Sequence, residues 1–176
     1  MALIDTTMAR RHLDGLSSST SDEELQLWVD AATSAVEKAR GEAVDEREFV
    51  DEVAVVGRTV TLAHIPVVSL LSVVAVDTDA TWDVGVLRVS PSGVVTAISG
   101  PALQGTVLVT YTAGQADPPA PYKVAGLIIL QHLWETRRGT MGPRHGGDDE
   151  MYVPQLGYAV PRRAVELLGL SLPGVA

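Results

Sequence analysis

One junction constrains the fold of this chain more than any other feature: a β-strand that ends at a glycine and leads, through a proline-rich turn, into an apolar helix. The strand is the β-branched run 107–112, and it stops at Gly114. Prolines at 118, 119 and 121 then open the helix, since proline is tolerated in a first helical turn, where its missing N–H would have no partner. The sequence therefore predicts a strand, a turn and a helix in direct succession.

This helix, predicted over about 120–138, is apolar on more than one face. A helix that is apolar nearly all round lies in a large core, or in a core and a subunit interface together. A chain of 176 residues is too small to surround such a helix with a large core, so we interpret the surplus apolar surface as a subunit interface. The candidate interface residues on the helix are Leu127, Ile128 and Trp134.

Three further helices are predicted, over about 5–14, 22–40 and 161–168. The second has the clearest start, because Ser21 and Glu24 have the spacing of a capping box and three acidic residues occupy the first turn. Between these helices, about 49–112 contains short β-branched runs separated by turn residues, a pattern typical of a small antiparallel sheet or hairpins. Pro91-Ser-Gly93 is the clearest hairpin turn.

Charge and composition exclude several functional classes. The net charge of −9 argues against nonspecific binding of nucleic acid, which requires clustered Lys and Arg. The absence of cysteine excludes thiolate nucleophiles, disulfides and zinc–thiolate sites. The N-terminus has no apolar segment of the secretory type, and no apolar run is long enough for a bilayer, so we expect a soluble protein with no membrane contact.

The sequence predicts no catalytic, cofactor or metal site. The four histidines are scattered, the serines at 17–21 are explained by a loop and a helix cap, and there is no nucleophile elbow or phosphate-binding glycine loop. We therefore expect that the protein is not an enzyme and carries no cofactor. A small-ligand or enzymatic α+β domain stays open as an alternative, and it would require a pocket formed among His64, Asp77, Asp83 and Arg88.

Four features, in this order, resemble the head–tail connector (adaptor) proteins of long-tailed bacteriophages. The first is a short N-terminal helix followed by the capped helix 22–40, which ends in Ala-Val-Glu-Lys-Ala-Arg-Gly41. The second is the strand pair of residues 59–69. The third is Val109-Thr-Tyr-Thr-Ala-Gly114 with the proline-rich turn, Lys123 and a helix ending in His-Leu-Trp-Glu-Thr-Arg. The fourth is the segment 158–168, Tyr-Ala-Val-Pro-Arg-Arg-Ala-Val-Glu-Leu-Leu.

The resemblance implies an α+β fold in which a helical bundle of connector type carries an inserted small antiparallel β-sheet or hairpin region, about 49–112. It implies a connector domain over 1–138 and, over 139–176, a mobile loop and C-terminal arm that contacts the portal or a neighbouring copy. C-terminal candidates for these contacts are Tyr152, Val153, Leu156, Tyr158, Leu167, Leu168 and Leu170.

The function implied is structural. Connectors of this kind form a homo-oligomeric ring, commonly dodecameric, beneath the portal in the virion neck. The expected partners are the portal protein, a stopper (head-completion) or tail-terminator protein, and genomic DNA that passes through the lumen without sequence-specific binding. The protein would occupy the host cytoplasm during assembly and the virion afterwards. The alternative within the same particle is that this chain is itself a stopper or tail terminator.

Overall fold

The computed structural model describes residues 2–13, 20–136 and 160–170. The chain divides into two compact units. The first, which we call the β unit, consists of Gly41–Pro118 together with Ala2. The second, the helical unit, is formed by the described residues of Leu3–Arg40 and Pro119–Ala176. The predicted boundary between 138 and 139 lies outside the described residues, so that division into a connector domain and an arm stays a prediction.

Four helices form the described part of the helical unit. The first and last residues of each helix lie within two positions of the predicted ones. They are α1 (Thr6–His12), α2 (Asp22–Arg40), α3 (Ala120–Thr136) and α4 (Arg162–Leu167).

The starts of α1 and α2 are fixed by side chains that accept hydrogen bonds from backbone N–H groups of the first helical turn. The Asp5 carboxylate accepts from the N–H of Met8 at 2.7 Å, and the Ser21 hydroxyl accepts from the N–H of Glu24 at 3.1 Å. A cap of this type stabilises a helix by about 1 kcal/mol. The N-cap predicted at Ser21 is confirmed.

Packing within the helical unit depends on close contact between α3 and the N-terminal segment. A Cβ added at Gly126 would lie 2.8 Å from the Cδ1 atom of Ile4, so the glycine allows the two segments to approach. Farther along α3, the rings of Trp28 and Trp134 meet edge to face with 6.2 Å between centroids. The helical unit therefore joins helices from both ends of the described chain around one core.

Seven strands in two antiparallel sheets form the described part of the β unit. The larger sheet has the order β1-β7-β3-β4 and the smaller has the order β2-β6-β5. In chain order the strands are β1 (Arg47–Ala54), β2 (Thr59–Thr61), β3 (Val67–Ala75), β4 (Thr81–Trp82), β5 (Leu87–Val89), β6 (Val94–Ala97) and β7 (Thr106–Ala113). The turn predicted at 91–93 does connect β5 to β6.

The centre of the larger sheet is β7, which pairs with β1 on one side and with β3 on the other. Just beyond its end, Gly114 has φ +111°, and any Cβ at this position would overlap the carbonyl oxygen of Asp45. Glycine is the residue that tolerates both the positive φ and the close backbone approach. The glycine that marks the strand–helix junction in the sequence is therefore required by the backbone.

Both sheets contribute side chains to one hydrophobic cluster within the β unit. The larger sheet provides Val73, Val109 and Tyr111, and the smaller sheet provides Val60 and Val95. Each buried side chain of this size contributes about 1.5–3 kcal/mol to the stability of the fold. The β unit thus has a core of its own.

The prediction of a helical bundle with a small inserted β region over about 49–112 is wrong. The described chain is an α+β protein with two antiparallel sheets and four short helices. The physical reason is that the β-branched runs pair across long distances in sequence, as Arg47–Ala54 does with Thr106–Ala113, and together enclose a core. They form a folded body rather than a hairpin inserted into a bundle.

Candidate functional site

The larger sheet has one buried face and one exposed face. Along β7, Val107, Val109 and Tyr111 are buried, whereas Leu108 between them is 38% exposed. Opposite β7, Val50 on β1 is 56% exposed. Because successive residues of a strand point to opposite faces, these two side chains lie on the outside of the sheet. The exposed face therefore mixes apolar side chains, such as Val50 and Leu108, with hydroxyl side chains, such as Thr110 directly opposite Val50.

Strand β3 extends this surface because its pairing with β7 is irregular. The register shifts between Val67 and Ser69 and again between Leu70 and Ser72, which leaves Val68 and Leu71 as extra residues. Both side chains are exposed. We call this surface the outer sheet face, and its apolar residues are Val50, Val68, Leu71, Val74 and Leu108.

The border of the outer sheet face is acidic. Glu48 and Glu52 are exposed on β1. Each lies two residues from Val50 along the strand, so both side chains point to the same face as Val50. The register sets Glu48 opposite Thr112 and Glu52 opposite Leu108. No lysine or arginine lies among the residues of β1, β3 and β7 that point to this side. The surface is suited to contact with another protein rather than with a polyanion.

A polar cluster lies on the inner side of the same sheet. The phenol of Tyr111 donates a hydrogen bond to Asp51 Oδ2 at 2.6 Å and accepts one from the backbone N–H of His64 at 3.1 Å. The N–H of Ala63 also donates to Asp51 Oδ2, at 2.9 Å. The Nδ1 atom of His64 lies 3.2 Å from the phenol oxygen and 3.6 Å from Asp51 Oδ1. These contacts attach the segment after β2 to β1 and β7.

Aromatic stacking completes this cluster. The imidazole of His64 stacks on the ring of Phe49 with 3.9 Å between centroids, and the guanidinium of Arg47 lies 4.8 Å from the centre of the Phe49 ring. Burial, and then the hydrogen bond to Asp51, raise the pKa of the Tyr111 phenol above its ordinary value. A phenol that holds its proton this firmly is a poor base at neutral pH. The cluster is best explained as a structural anchor.

Sequence reasoning missed this cluster because its members are 47 and 60 residues apart. One signal was present. Asp51 occupies the same alternating positions of β1 as Phe49 and Val53, which pack against the core. A carboxylate at an inward position requires a hydrogen-bonding partner. The sequence indicates that a partner is needed without indicating which residue it is.

The residues that a ligand-binding domain would require are not brought together. A cleft of about 420 Å³ in the β unit is lined by Asp77, Trp82 and Gln104, among others, but not by the other three candidates. His64 belongs to the Tyr111 cluster. The Asp83 carboxylate accepts the N–H of Gly85 at 2.9 Å and so caps the 3₁₀ turn Val84–Val86.

The candidate interface residues of the helical unit fall into three groups. Trp134 and Leu168 are buried, with 6% and 1% exposure. Leu127, Ile128, Leu167 and Leu170 are half-buried. Tyr152, Val153, Leu156 and Tyr158 lie outside the described residues. The contact of these residues with a portal or a neighbouring copy stays a prediction.

The described residues offer neither a cluster of metal ligands nor a helix able to cross a membrane. Over residues 2–13, 20–136 and 160–170, no three His, Asp or Glu side chains converge as a metal site would require. Within these same ranges, none of the helices has the length and apolar character that would let it cross a bilayer.

Chains in solved structures of gene transfer agent particles share this fold, and three are described here. A chain in the neck of an empty gene transfer agent (GTA) particle, computed with C6 symmetry, has a TM-score of 0.66 at 20% identity, with 98% of this chain and 93% of that one covered. A chain in the virion of the native gene transfer agent particle has a TM-score of 0.66 at 20% identity, with 98% of this chain and 93% of that one covered. A chain in the neck of the native particle, computed with C12 symmetry, has a TM-score of 0.63 at 21% identity, covering 96% and 91%.

At these identities the similarity establishes the fold of the chain. No protein-family model and no curated protein sequence matches this chain.

Proposed function

We propose that this protein is a head-to-tail connector: a structural, non-enzymatic neck protein that forms a ring beneath the portal. The ring continues the DNA channel and offers a docking platform to the stopper or tail-completion protein. The observation that carries this proposal is the fold agreement over 98% of the chain with a chain of a particle neck. Agreement over that length includes both the β unit and the helical unit.

The surface of the chain supports a role in assembly. The outer sheet face has no covering element among the described residues, and Leu27 on α2 is 70% exposed. Exposed apolar patches of this kind mark protein–protein contacts. The net charge of −9 also suits a channel protein, because a wall with few cations lets DNA slide instead of holding it.

The test is to purify the protein, mix it with the portal of the same particle, and measure mass and shape by native mass spectrometry and negative-stain electron microscopy. We expect a closed ring on the portal. Twelve chains of 18.6 kDa would add about 223 kDa and six would add about 112 kDa. A protein that remains monomeric beside an intact portal at high concentration would contradict the proposal.

A second candidate function, a stopper or tail terminator, is favoured by one observation. Those proteins are expected to be built around a larger β-sheet with less helix, and the β unit described here contains seven strands in two sheets. The same mixing experiment separates the two roles when it includes tails that lack this protein. Binding to the portal alone supports the connector, whereas binding to the tail alone supports the terminator.

A further inference from the structure

We propose that the ring is assembled head to tail through the β unit: the outer sheet face of one copy binds the outer side of the smaller sheet in the next copy. This inference rests on the proposed ring and names the two surfaces that would form it. A ring of more than two identical chains requires two different complementary surfaces on each chain, because a surface that pairs with itself closes a dimer. The two sheets provide them, since both turn buried side chains into one core and leave their other sides outward.

The outer side of the smaller sheet is defined by the alternation of its strands. Val60 on β2 and Val95 on β6 pair with each other and are buried in the core, so the residues next to them along each strand point outward. We call this surface the small-sheet face, and its residues are Val56, Thr59, Thr61, Arg88, Val94, Thr96 and Ile98. Val56, Val94 and Ile98 are exposed apolar side chains. The small-sheet face thus mixes apolar and hydroxyl side chains, as the outer sheet face does.

The acidic residues of the β unit border the larger sheet. Residues 41–118 contain ten acidic residues, and nine of these lie in 42–52 or 77–83. The first of these segments includes β1 and the second includes β4, which are the two edge strands of the larger sheet. With nine acidic residues and one arginine, the two segments together have a net charge of −8. The outer sheet face therefore lies between two acidic margins.

The smaller sheet has the opposite charge. Its three strands lie in the segments 53–76 and 84–116, which contain two arginines and no Asp or Glu. Arg88 is exposed on β5 and lies opposite Thr96 of β6, and Arg58 occupies the turn between β1 and β2. An acidic surface and a cationic surface on one unit favour association of unlike faces.

Charge also indicates which contacts are disfavoured. Pairing of two outer sheet faces would set Glu48 and Glu52 against their own copies, and pairing of two small-sheet faces would do the same with Arg88. Like charges brought together in an interface oppose association. Contact between the two different faces instead brings Arg88 to the acidic border of the larger sheet. The pattern therefore selects the head-to-tail arrangement.

The small-sheet face fits a protein better than it fits the DNA backbone. Binding of a polyanion requires clustered Lys and Arg. Here Arg88 is the one charged residue of the seven, and three of the others are exposed apolar side chains. Apolar side chains gain from contact with another apolar surface, which the outer sheet face offers at Val50 and Leu108. A second copy of this chain is the occupant that matches both features.

The size of the small-sheet face predicts how the contact behaves. Three strands of about four residues, with a spacing of ~4.8 Å and a rise of ~3.4 Å, cover about 14 by 14 Å, or about 200 Å². A standard interface buries about 800 Å² on each partner. One contact of this size is weak, so the ring depends on closure or on a template. We expect a monomer in dilute solution and a ring on the portal.

Engineered cysteines test the proposal, because the chain has no cysteine of its own. The double variant Leu108→Cys with Ile98→Cys carries one thiol on each face. It is assembled on the portal and treated with a short bismaleimide, and we expect a ladder of covalent oligomers extending beyond the dimer. The matched control is Leu108→Cys with Leu27→Cys, since Leu27 on α2 is 70% exposed and Ile98 is 67% exposed. The control should give no ladder.

Electron microscopy of the same samples separates the possible outcomes. Rings without a ladder, or an equal ladder from the control, would overturn the pairing of surfaces while leaving the connector function intact. Absence of rings from the unmodified protein would instead remove the proposed function. Strong dimers from Leu108→Cys alone or from Ile98→Cys alone would show that a face pairs with itself.

A charge reversal gives a second, independent readout. Arg88→Glu should lower ring yield at limiting concentration by roughly two- to fivefold, the range for an exposed ion pair. Adding Glu48→Arg or Glu52→Arg should restore the yield in at least one case, because the pair is re-formed with opposite signs. The control is Arg88→Glu with Glu23→Arg, which makes the same change in net charge at an exposed position of α2. Failure of both rescues, or equal rescue by the control, would refute a direct contact.

The same variant tests the DNA backbone as the occupant of the small-sheet face. Rings of the natural protein and of Arg88→Glu are compared for retention of double-stranded DNA on a filter at low salt. We expect ring yield to fall and DNA retention per ring to stay unchanged. Loss of DNA retention with an unchanged ring yield would assign the small-sheet face to the DNA backbone and overturn the proposal.

Discussion

The β unit and the helical unit use their apolar residues in opposite ways. In the helical unit, α3 is apolar on most of its circumference, yet its largest side chain, Trp134, is buried against Trp28. In the β unit, the strands fill a core between two sheets and still leave Val50, Leu71 and Leu108 exposed on one side. The segment with the most apolar sequence is therefore not the one with the most exposed apolar side chains. A strand places successive side chains on two faces, so a core-forming strand also exposes apolar residues on its outer face.

The two units also differ in how rigidly their tightest positions are held. Gly114 faces backbone atoms of Asp45, which cannot move without displacing a strand. Gly126 faces the end of the Ile4 side chain, which can change rotamer. We therefore expect substitutions in the β unit to have larger effects at sites of close approach, and the following predictions test that contrast in order of decreasing effect.

Gly114→Ala should have the largest effect. The new Cβ overlaps a backbone carbonyl and the residue is held at positive φ, so we expect a loss of about 4 kcal/mol or more in the free energy of unfolding. Urea denaturation monitored by circular dichroism measures it. The matched control is Gly41→Ala, which has φ +69° but open space around the new Cβ, and it should lose only about 1 kcal/mol. Equal losses in the two variants would contradict the overlap argument.

Trp134→Ala should lower the free energy of unfolding by about 3–5 kcal/mol, because it removes a large buried side chain and its contact with Trp28. Leu27→Ala is the control in the same unit, since its side chain is exposed, and it should change stability by less than about 0.5 kcal/mol. A similar loss for both would indicate that Leu27 is covered in solution.

Tyr111→Phe should cost about 1–3 kcal/mol, since it leaves Asp51 without one of its hydrogen bonds. The raised pKa of Tyr111 adds a dependence on pH. The folded phenol keeps its proton above about pH 10, where the unfolded phenol releases it. The associated stabilisation is therefore complete below that pH and falls as the pH rises towards the folded-state value.

The phenylalanine variant lacks this titration. The difference in unfolding free energy between the natural protein and Tyr111→Phe should therefore shrink above about pH 10. Urea unfolding of both proteins at a series of alkaline pH values measures it. A difference that stays constant with pH would contradict the assigned role of the phenol.

Gly126→Ala should have the smallest effect, within about 1 kcal/mol in either direction. Alanine favours the helix by about 1 kcal/mol, and displacement of the Ile4 side chain opposes that gain. Combining it with Ile4→Val, which shortens the obstructing side chain, should make the alanine substitution more favourable. Thermal unfolding of the four proteins in this cycle measures the coupling. An alanine penalty comparable to that of Gly114→Ala would remove the contrast between the two units.

Local signals in the sequence predict local structure well. The Ser21 cap and the turn at 91–93 each correspond to a feature that the structure contains. These features depend on a few neighbouring residues, so their physics is present in the local sequence. The same is true of the helix positions, which differ from prediction by at most two residues.

Long-range partners were not predictable in the same way. Nothing near Phe49 indicates that its strand pairs with β7 rather than with β2, and the two-sheet arrangement follows from that choice. The outer sheet face was missed for a related reason: the exposed Val68 and Leu71 follow from bulges in β3, and a bulge depends on the partner strand. The interface residues predicted on α3 remain untested.

The chain order of the two units has a consequence for synthesis on the ribosome. Helix α2 is complete at Arg40, but its partner α3 begins only at Ala120, after about 80 residues that fold into the β unit. At roughly 5–20 residues per second, the apolar side of α2 waits about 4–16 s for its partner. During that interval the apolar side chains of Leu25, Val29 and Val36 are available to a chaperone. The β unit, in contrast, is completely synthesised before α3 begins.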